Sequence, residues 1–377
     1  MKILIVSHEY PPIGGGGANA CMNLAHEFKT QGHDVTVVTT WFEGLDRRIQ
    51  EDGLTIVRLP SKRKHLEYCG FGEMLSYLRM ALAEADRLQK EKRFDAVMVF
   101  FAIPSGPIGY YLKKRYKVPY IIRFGGGDIP GFQDRFRVIY KLIGPFEKII
   151  WKNAAALVAN SKGLKTLAEK FDCRKEIQTI PNGVDIKFFE ENAEKKEAEE
   201  YRILFVSRLI ERKGLQFVLP QLRRLQKACK KKIMLTVVGD GPYRTELEHL
   251  VKEEGIEDCV KFVGQKNKSE LQAYYKDADV FILPSKKEGM PNVVLEAMAS
   301  GLPIVMTPCE GSEELIDGNG YVAEAGAFAE KLETLSKDSG LRMRMGQRSV
   351  ELVYERFLWS GVAKEYGHIL EKVSKKE

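Results

Sequence analysis

Residues 2–7 read KILIVS and residues 202–207 read RILFVS, two apolar runs 200 positions apart. The first opens KILIVSHEYPPIGGGGANACMNLAHEF, a strand, a Gly-rich turn and then a helix; the second opens RILFVSRLIERKGLQFVLPQLRRL, which follows the same plan. Working outward, DVTVVTT, FDAVMVFF, VPYIIRFGG and AALVANS are further short apolar runs in the first half, and KIMLTVVGDG, CVKFVG, DVFILPS and LPIVMTP in the second. Continuous apolar runs alternating with amphipathic stretches predict parallel strands joined by crossover helices. Each half therefore reads as a doubly wound, Rossmann-like α/β domain.

Between the halves lies EENAEKKEAEE (190–200), a solvated charged run. The expected organisation is a first domain over 1–185, a charged linker over 186–200, a second domain over 201–355, and a closing helix over 356–377. With 377 residues, 44% of them hydrophobic, the chain is long enough to bury two ordinary cores. The N-terminal MKILIVSHEYPP carries one basic residue and a short apolar run, well short of a signal peptide, and no stretch approaches a membrane span. A cytoplasmic location is the expectation, with peripheral attachment to the inner face of the membrane as its extension. Six cysteines (Cys21, Cys69, Cys173, Cys229, Cys259 and Cys309) lie scattered without a Cys-x-x-Cys pair, which argues against a zinc site or a disulfide frame.

Charge is uneven along the chain. Residues 1–185 carry 28 Lys+Arg against 20 Asp+Glu, a net of +8, leaving 31 against 32, a net of −1, for the remainder. A basic half fits a solvated face equally with an anionic partner, whether membrane or substrate. The stretch RFRVIYKLIGPFEKIIWKN (135–153), basic and aromatic, reads either as a surface helix lying on an anionic bilayer or as a core helix with one wet face. No nucleic-acid recognition motif accompanies the charge.

The segment PSKKEGMPNVVLEAMASGLPIV (284–305) carries the chemistry. DVFILPS is a buried strand and Gly301 ends a helix, so the helix between them spans about Pro291 to Ser300, with Pro291 in its first turn. Glu288 then stands in the loop at the carboxyl end of the strand and Glu296 within the helix. Ligands of open α/β sheets sit at the carboxyl ends of strands, where a helix N-terminus offers free N–H groups and partial positive charge. That arrangement suits a diphosphate. Glu296, roughly 7 Å along the axis from Pro291, suits the hydroxyls of a ribose, and Glu288 a sugar on the other side, since carboxylate oxygens accept short charge-assisted bonds from polyols.

The whole chain resembles the retaining glycosyltransferases of family 4, whose fold is GT-B, two doubly wound Rossmann-like domains facing across a cleft. The resemblance rests on the E-x7-E pattern of Glu288 and Glu296, on PPIGGGG (11–17) followed by NLA and QGHDVTVVT, on NSKGLKTLA (160–168) and IPNGVD (180–185), and on VSRLIERKGL (206–215), VVGDGP (237–242) and ERFLW (355–359). It implies an enzyme that moves a sugar from a nucleotide diphosphate sugar to a glycan or lipid-linked acceptor, in the biosynthesis of a polysaccharide or related glycan.

Residue roles follow from the same resemblance. Arg208 and Lys213 match the pair that grips the donor diphosphate, stabilising charge on the leaving group without a metal, and with Glu288 they form the expected catalytic set. Gly15, Gly16, Gly239, Gly289, Met290, Pro291, Asn292, Val293 and Glu296 are the expected donor-binding residues, although Gly239 serves a plain tight turn equally well. Gly17, Arg123 and Asp128 are expected on the acceptor side. Asn182 to Asp185 matches a hinge-side motif of structural character, and the RFLW stretch resembles the helix that returns to the first domain, so that the cleft closes by a hinge. Asp277-Ala278-Asp279 has the outline of a metal-binding D-x-D but falls at a helix-to-strand junction; no metal and no cofactor is expected. Many relatives place a histidine three residues before the aspartate of YIIRFGGGDIPGF (120–132), where this chain has Gly125. Two other readings stand beside the transferase: a nucleotide-sugar hydrolase or epimerase of the same fold, and a nucleotide-sugar-binding subunit without turnover.

Overall fold

A computed structural model describes residues 1–51, 53–132, 137–186 and 199–375, with the backbone alone described at 137 and 138. Most of the charged linker, residues 187–198, lies outside the described residues. The chain divides into two compact units, one formed by Met1–Asn182 with Trp359–Glu377, the other by Gly183–Leu358.

The first unit is built on an eight-stranded sheet. Its strands are β1 (Lys2–Ser7), β2 (Asp34–Thr40), β3 (Arg48–Glu51), β4 (Leu54–Leu59), β5 (Ala96–Phe100), β6 (Tyr120–Arg123), β7 (Ala156–Ala159) and β8 (Ile177–Thr179), in the order β3-β4-β2-β1-β5-β6-β7-β8. All pairs are parallel except β3–β4, an antiparallel hairpin at the edge. The helices are α1 (Gly16–Thr30), α2 (Phe71–Lys92), α3 (Ala102–Tyr116), α4 (Arg137–Asn153) and α5 (Lys162–Phe171). β1 and β5 are buried along almost their whole length because helices cover both faces, which is why they read as unbroken apolar runs.

The second unit holds a six-stranded parallel sheet of β9 (Glu200–Val206), β10 (Lys232–Val238), β11 (Val260–Gly264), β12 (Val280–Leu283), β13 (Ile304–Met306) and β14 (Gly320–Val322), ordered β11-β10-β9-β12-β13-β14. Its helices are α6 (Leu222–Ala228), α7 (Arg244–Glu253), α8 (Lys268–Asp277), α9 (Asn292–Ala299), α10 (Ser312–Leu315), α11 (Phe328–Lys337) and α12 (Ser339–Arg356). The helix expected after RILFVS and its turn is delayed: Glu211–Lys213, Leu215–Phe217 and Leu219–Gln221 form single 3₁₀ turns, and α6 starts only at Leu222. Pro220, which has no N–H to give a helix interior, falls inside the expected helix and accounts for the delay.

The last helix, α13 (Trp359–Ser374), belongs to the first unit. Its buried face, Trp359, Val362, Ala363, Tyr366 and Leu370, joins the core formed by β1, β2 and α1. The two chain crossings lie side by side, for Val184 N–H donates to the Phe357 carbonyl at 2.7 Å and Val184 pairs with Leu358.

β1 and β9, the two strands quoted at the outset, hold equivalent places. In each sheet the following strands build outward on one side, and β5 or β12 then starts the other side. Each is thus one wall of a topological switch point, where connections diverge and leave a crevice at the carboxyl ends.

Candidate active site

In the second unit the switch point lies between β9 and β12. The chain leaves β9 through Ser207 and Arg208, passes a 3₁₀ turn at Glu211–Lys213, and bends at Gly214, whose φ is +75°. A Cβ at Gly214 would overlap the carbonyl oxygen of Pro284 at the end of β12, so only glycine lets the two loops touch. That contact brings Lys213 to Glu288: Nζ lies 2.6 Å from Oε1. The same oxygen accepts from Ser285 Oγ at 2.7 Å, and the Glu288 N–H donates to Glu310 Oε2 at 3.2 Å. The Glu288 carboxylate, only 9% exposed as a residue, is held by a cation and a hydroxyl. Arg208 is exposed at the carboxyl end of β9.

The loop from Pro284 to Pro291 leads into α9. Gly289, Met290 and Pro291 are buried, and Gly311 approaches Gly289 so closely that a Cβ there would meet the Gly289 carbonyl oxygen at 2.5 Å. Pro291 is the N-cap, with φ −76° and ψ 115°, not the first helical residue; α9 starts at Asn292. Its ring fixes φ and its extended ψ carries the chain into the helix, so the proline sits one position earlier than the sequence suggested. Asn292 and Val293 form the first turn, where backbone N–H groups lack intrahelical acceptors. The other end closes as expected at Gly301, φ +68°, with the Gly301 N–H on Met298 and the Leu302 N–H on Ala297, a Schellman motif.

Glu296 stands on α9, one turn in, and its Oε2 accepts from the Tyr275 hydroxyl of α8 at 2.9 Å. Burial pushes its carboxyl up to about 7, against the opposing pull of the Tyr275 hydrogen bond and the Lys268 charge. At Gly239, with φ +132°, a Cβ would overlap the Ser207 carbonyl oxygen, so close packing between the loops after β9 and β10 already demands glycine there. Asp277 and Asp279 both bind Arg202; Asp279 Oδ2 accepts from the Arg202 backbone N–H at 2.8 Å. Among the described residues no group of three or more His, Cys, Asp or Glu could hold a metal ion.

In the first unit the switch point lies between β1 and β5. Gly14 has φ +93°, and a Cβ there would run into the Glu9 side chain. Gly15 is the N-cap of α1 and Gly16 its first residue; at Gly15 a Cβ would meet nothing within 4 Å among the described residues. Neither crowding nor positive φ requires that glycine, and the space beside it is open. Gly17, expected on the acceptor side, packs on the Phe101 ring.

Arg123 and Asp128, expected on the acceptor side, are both engaged by internal partners. Arg123 is 1% exposed; its guanidinium donates to Asn182 Oδ1 and lies over the Phe100 ring, 5.0 Å from the centroid. It is an internal strut that ties β6 to the chain's exit from the unit. Asp128 is buried, and both oxygens are used: Oδ2 accepts from the Ala102 N–H and Oδ1 from the Gly125 N–H, each at 2.8 Å. It fixes the loops after β5 and β6. Glu147 of α4, buried and with no hydrogen-bond partner among the described residues, has its carboxyl pushed up to about 9 by burial and by Asp128.

The sequence reading missed Ser285, Glu310 and Tyr275, which complete the surroundings of Glu288 and Glu296. Ser285 had a signal, three residues before Glu288 in the quoted segment. Glu310 and Tyr275 come from β13's exit and α8, and only the sheet order brings them in.

A family model described as Glycosyltransferase Family 4 matches residues 14–188, and one described as Glycosyl transferases group 1 matches residues 187–351. An uncharacterized glycosyltransferase of Methanocaldococcus jannaschii is 31% identical over 304 residues, covering 74% of this chain and 76% of that protein. The N-acetyl-α-D-glucosaminyl L-malate synthase of Bacillus anthracis is 27% identical, covering 97% of this chain and 96% of its own. The crystal structure of Anabaena HepE in complex with UDP-glucose superposes with a TM-score of 0.74 at 19% identity, with 100% of both chains covered. The chain belongs to the family 4 glycosyltransferases and has their GT-B fold.

Proposed function

We propose that the protein transfers a sugar from a nucleotide diphosphate sugar to a glycan or lipid-linked acceptor, with retention of anomeric configuration, and that its second unit holds the donor. The observation that carries this is the meeting, at one switch point, of the Lys213–Glu288 pair with the N-terminus of α9. The N-terminus of α9 and the loop leading into it would receive the diphosphate through the partial positive charge that a helix start carries. Arg208 and Lys213 would add cationic charge, with most effect once the glycosidic bond breaks and charge builds on the leaving group. Glu296 would accept bonds from the ribose, and Glu288 would hold Lys213 in place and face the sugar. Gly239 would leave the nucleotide room beside the β10 turn, and Gly15 and Gly16 would let a ligand approach the backbone in the first unit. The UDP-glucose bound to HepE supports a nucleotide sugar as donor.

The test is turnover. The purified protein is incubated with UDP-, GDP- and ADP-sugars and an extract of glycan and lipid acceptors. The expected result is nucleoside diphosphate release coupled to a glycosylated product whose anomeric NMR coupling matches the donor's, unchanged by EDTA. Release of free sugar without transfer, or an epimerised donor, would replace the proposal.

Contact with an anionic membrane is the second part of the proposal. No helix in the described residues is long and apolar enough to cross a membrane. On α4, however, Leu142 (79% exposed), Phe146 and Ile149 line one face at spacings of four and three, with Lys141, Lys148 and Lys152 beside them. Ile150 and Trp151 of the same helix are buried, so α4 is amphipathic with an apolar stripe left over on its outer side. An apolar stripe flanked by lysines suits the headgroup boundary of an anionic bilayer.

A further inference from the structure

At the switch point of the first unit, Phe101 follows β5 and is the N-cap of α3. Its ring lies over two glycines that are 108 positions apart: a Cβ built at Gly17, in the first turn of α1, or at Gly125, after β6, would fall on the ring itself. His8, at the end of β1, approaches the same ring edge-on, 5.8 Å between centroids. The carboxyl ends of β1, β5 and β6 therefore converge on one aromatic side chain.

That ring is fixed but not enclosed. Asp128 accepts from Ala102 N–H and Gly125 N–H, so one carboxylate clamps the backbone on both sides of the ring. Phe101 nonetheless remains partly exposed, where neighbouring Phe100 is fully buried. A partly exposed aromatic residue anchored at a switch point has the form of a binding platform: aromatic faces supply large contact area at little entropic cost, and ligand sites in open α/β sheets lie there. The ring also takes the volume that a side chain at 125 would need, so this wall is apolar.

We infer that Phe101 is a specificity-determining residue, the platform on which the C–H face of a pyranose ring of the acceptor stacks, with Gly17 and Gly125 kept side-chain-free by that ring. The inference rests on the transferase reading and sharpens it: the acceptor presents a sugar ring at this wall rather than a bare lipid or a small hydroxy acid.

Saturation-transfer NMR of the full chain with UDP and a panel of methyl glucosides, galactosides, mannosides and N-acetylglucosaminides tests it, with glycerol as the ringless control. The expected result is transfer to ring C–H protons of at least one pyranoside. Phe101→Leu should raise its half-saturation about threefold to tenfold, Phe101→Tyr should retain binding, and Gly125→Ala should weaken it by displacing the ring. UDP affinity by calorimetry should be unchanged in Phe101→Leu. No pyranoside signal, or equal signal in Phe101→Leu, overturns the inference while UDP binding leaves the donor proposal standing; failure of UDP- and other nucleotide sugars to bind at all counts against the transferase proposal instead.

Discussion

Lys213 Nζ and Glu288 Oε1 lie 2.6 Å apart although the residues are 75 positions apart. They meet because β9 and β12 are neighbours in the sheet and Gly214 lets the loops that follow them touch. The pair places a cation at the switch point and fixes its direction by a charge-assisted bond.

Removing that cation should cost both turnover and stability. Lys213→Ala strips charge from the proposed leaving-group site and leaves Glu288 buried without its partner. Turnover is expected to fall by about 10²- to 10³-fold, and stability by about 2 kcal/mol. Adding Glu288→Gln to Lys213→Ala should restore much of the stability and none of the turnover. A double-mutant cycle read by denaturant unfolding and by initial rates checks both; turnover equal to the parent's in Lys213→Ala would remove the pair from the mechanism.

Glu296 should make donor binding depend on pH. Its carboxyl is pushed up to about 7, and a carboxylate, not a carboxylic acid, accepts two ribose hydrogen bonds. Donor affinity is therefore expected to rise as pH increases from 6 to 8, with proton release near pH 7, seen as a buffer-dependent heat in calorimetry. Glu296→Gln should flatten the profile. The sign for stability is opposite: because the folded state favours the protonated form, Glu296 supports the donor-free fold most below the ordinary glutamate pKa, and that support is lost as pH rises through about 7.

Asp128 should be a stability residue. Replacing it with Ala strands the buried N–H of Ala102 and the part-buried N–H of Gly125, and Asn satisfies only one of them. Each variant is expected to lose roughly 2 kcal/mol, a fall in melting temperature on the order of 5 °C, whereas an Asp128→Ala protein as stable as the parent would contradict the assigned role.

Binding of α4 to lipid should follow both charge and apolar contact. Co-sedimentation with phosphatidylglycerol vesicles at low and moderate salt is expected to capture the protein, weakening as salt rises. Leu142→Ser with Phe146→Ser, both on exposed side chains, should abolish capture without shifting the melting point. Equal sedimentation of parent and variant, or none at either salt, would sink the membrane proposal.

What the sequence made legible was local. KILIVS and RILFVS announced the two central strands because buried parallel strands are apolar on both faces, and EGMPNVVLE sat in a strand–loop–helix segment whose ends, Leu283 and Gly301, were marked by composition alone. The hairpin of β3 and β4 escaped notice because RIQE is largely exposed and polar, so no apolar run marks it. What joined distant segments was not legible. Glu310, Tyr275 and the Lys213–Glu288 contact depend on strand order, and so does the burial of Arg123 against Phe100 and Asn182. Gly125 looked like a missing side chain, whereas the space is filled by Phe101, 24 positions earlier.

The central claim is that the segment from Glu288 to Glu296 holds a nucleotide sugar. Calorimetric titration of the purified protein with UDP-, GDP- and ADP-sugars, with Glu296→Ala alongside, tests it most directly. The account predicts saturable binding of one nucleotide class, weakened on the order of tenfold or more in Glu296→Ala through the loss of charge-assisted bonds. Absence of binding by every nucleotide sugar, or equal binding by the variant, would contradict it.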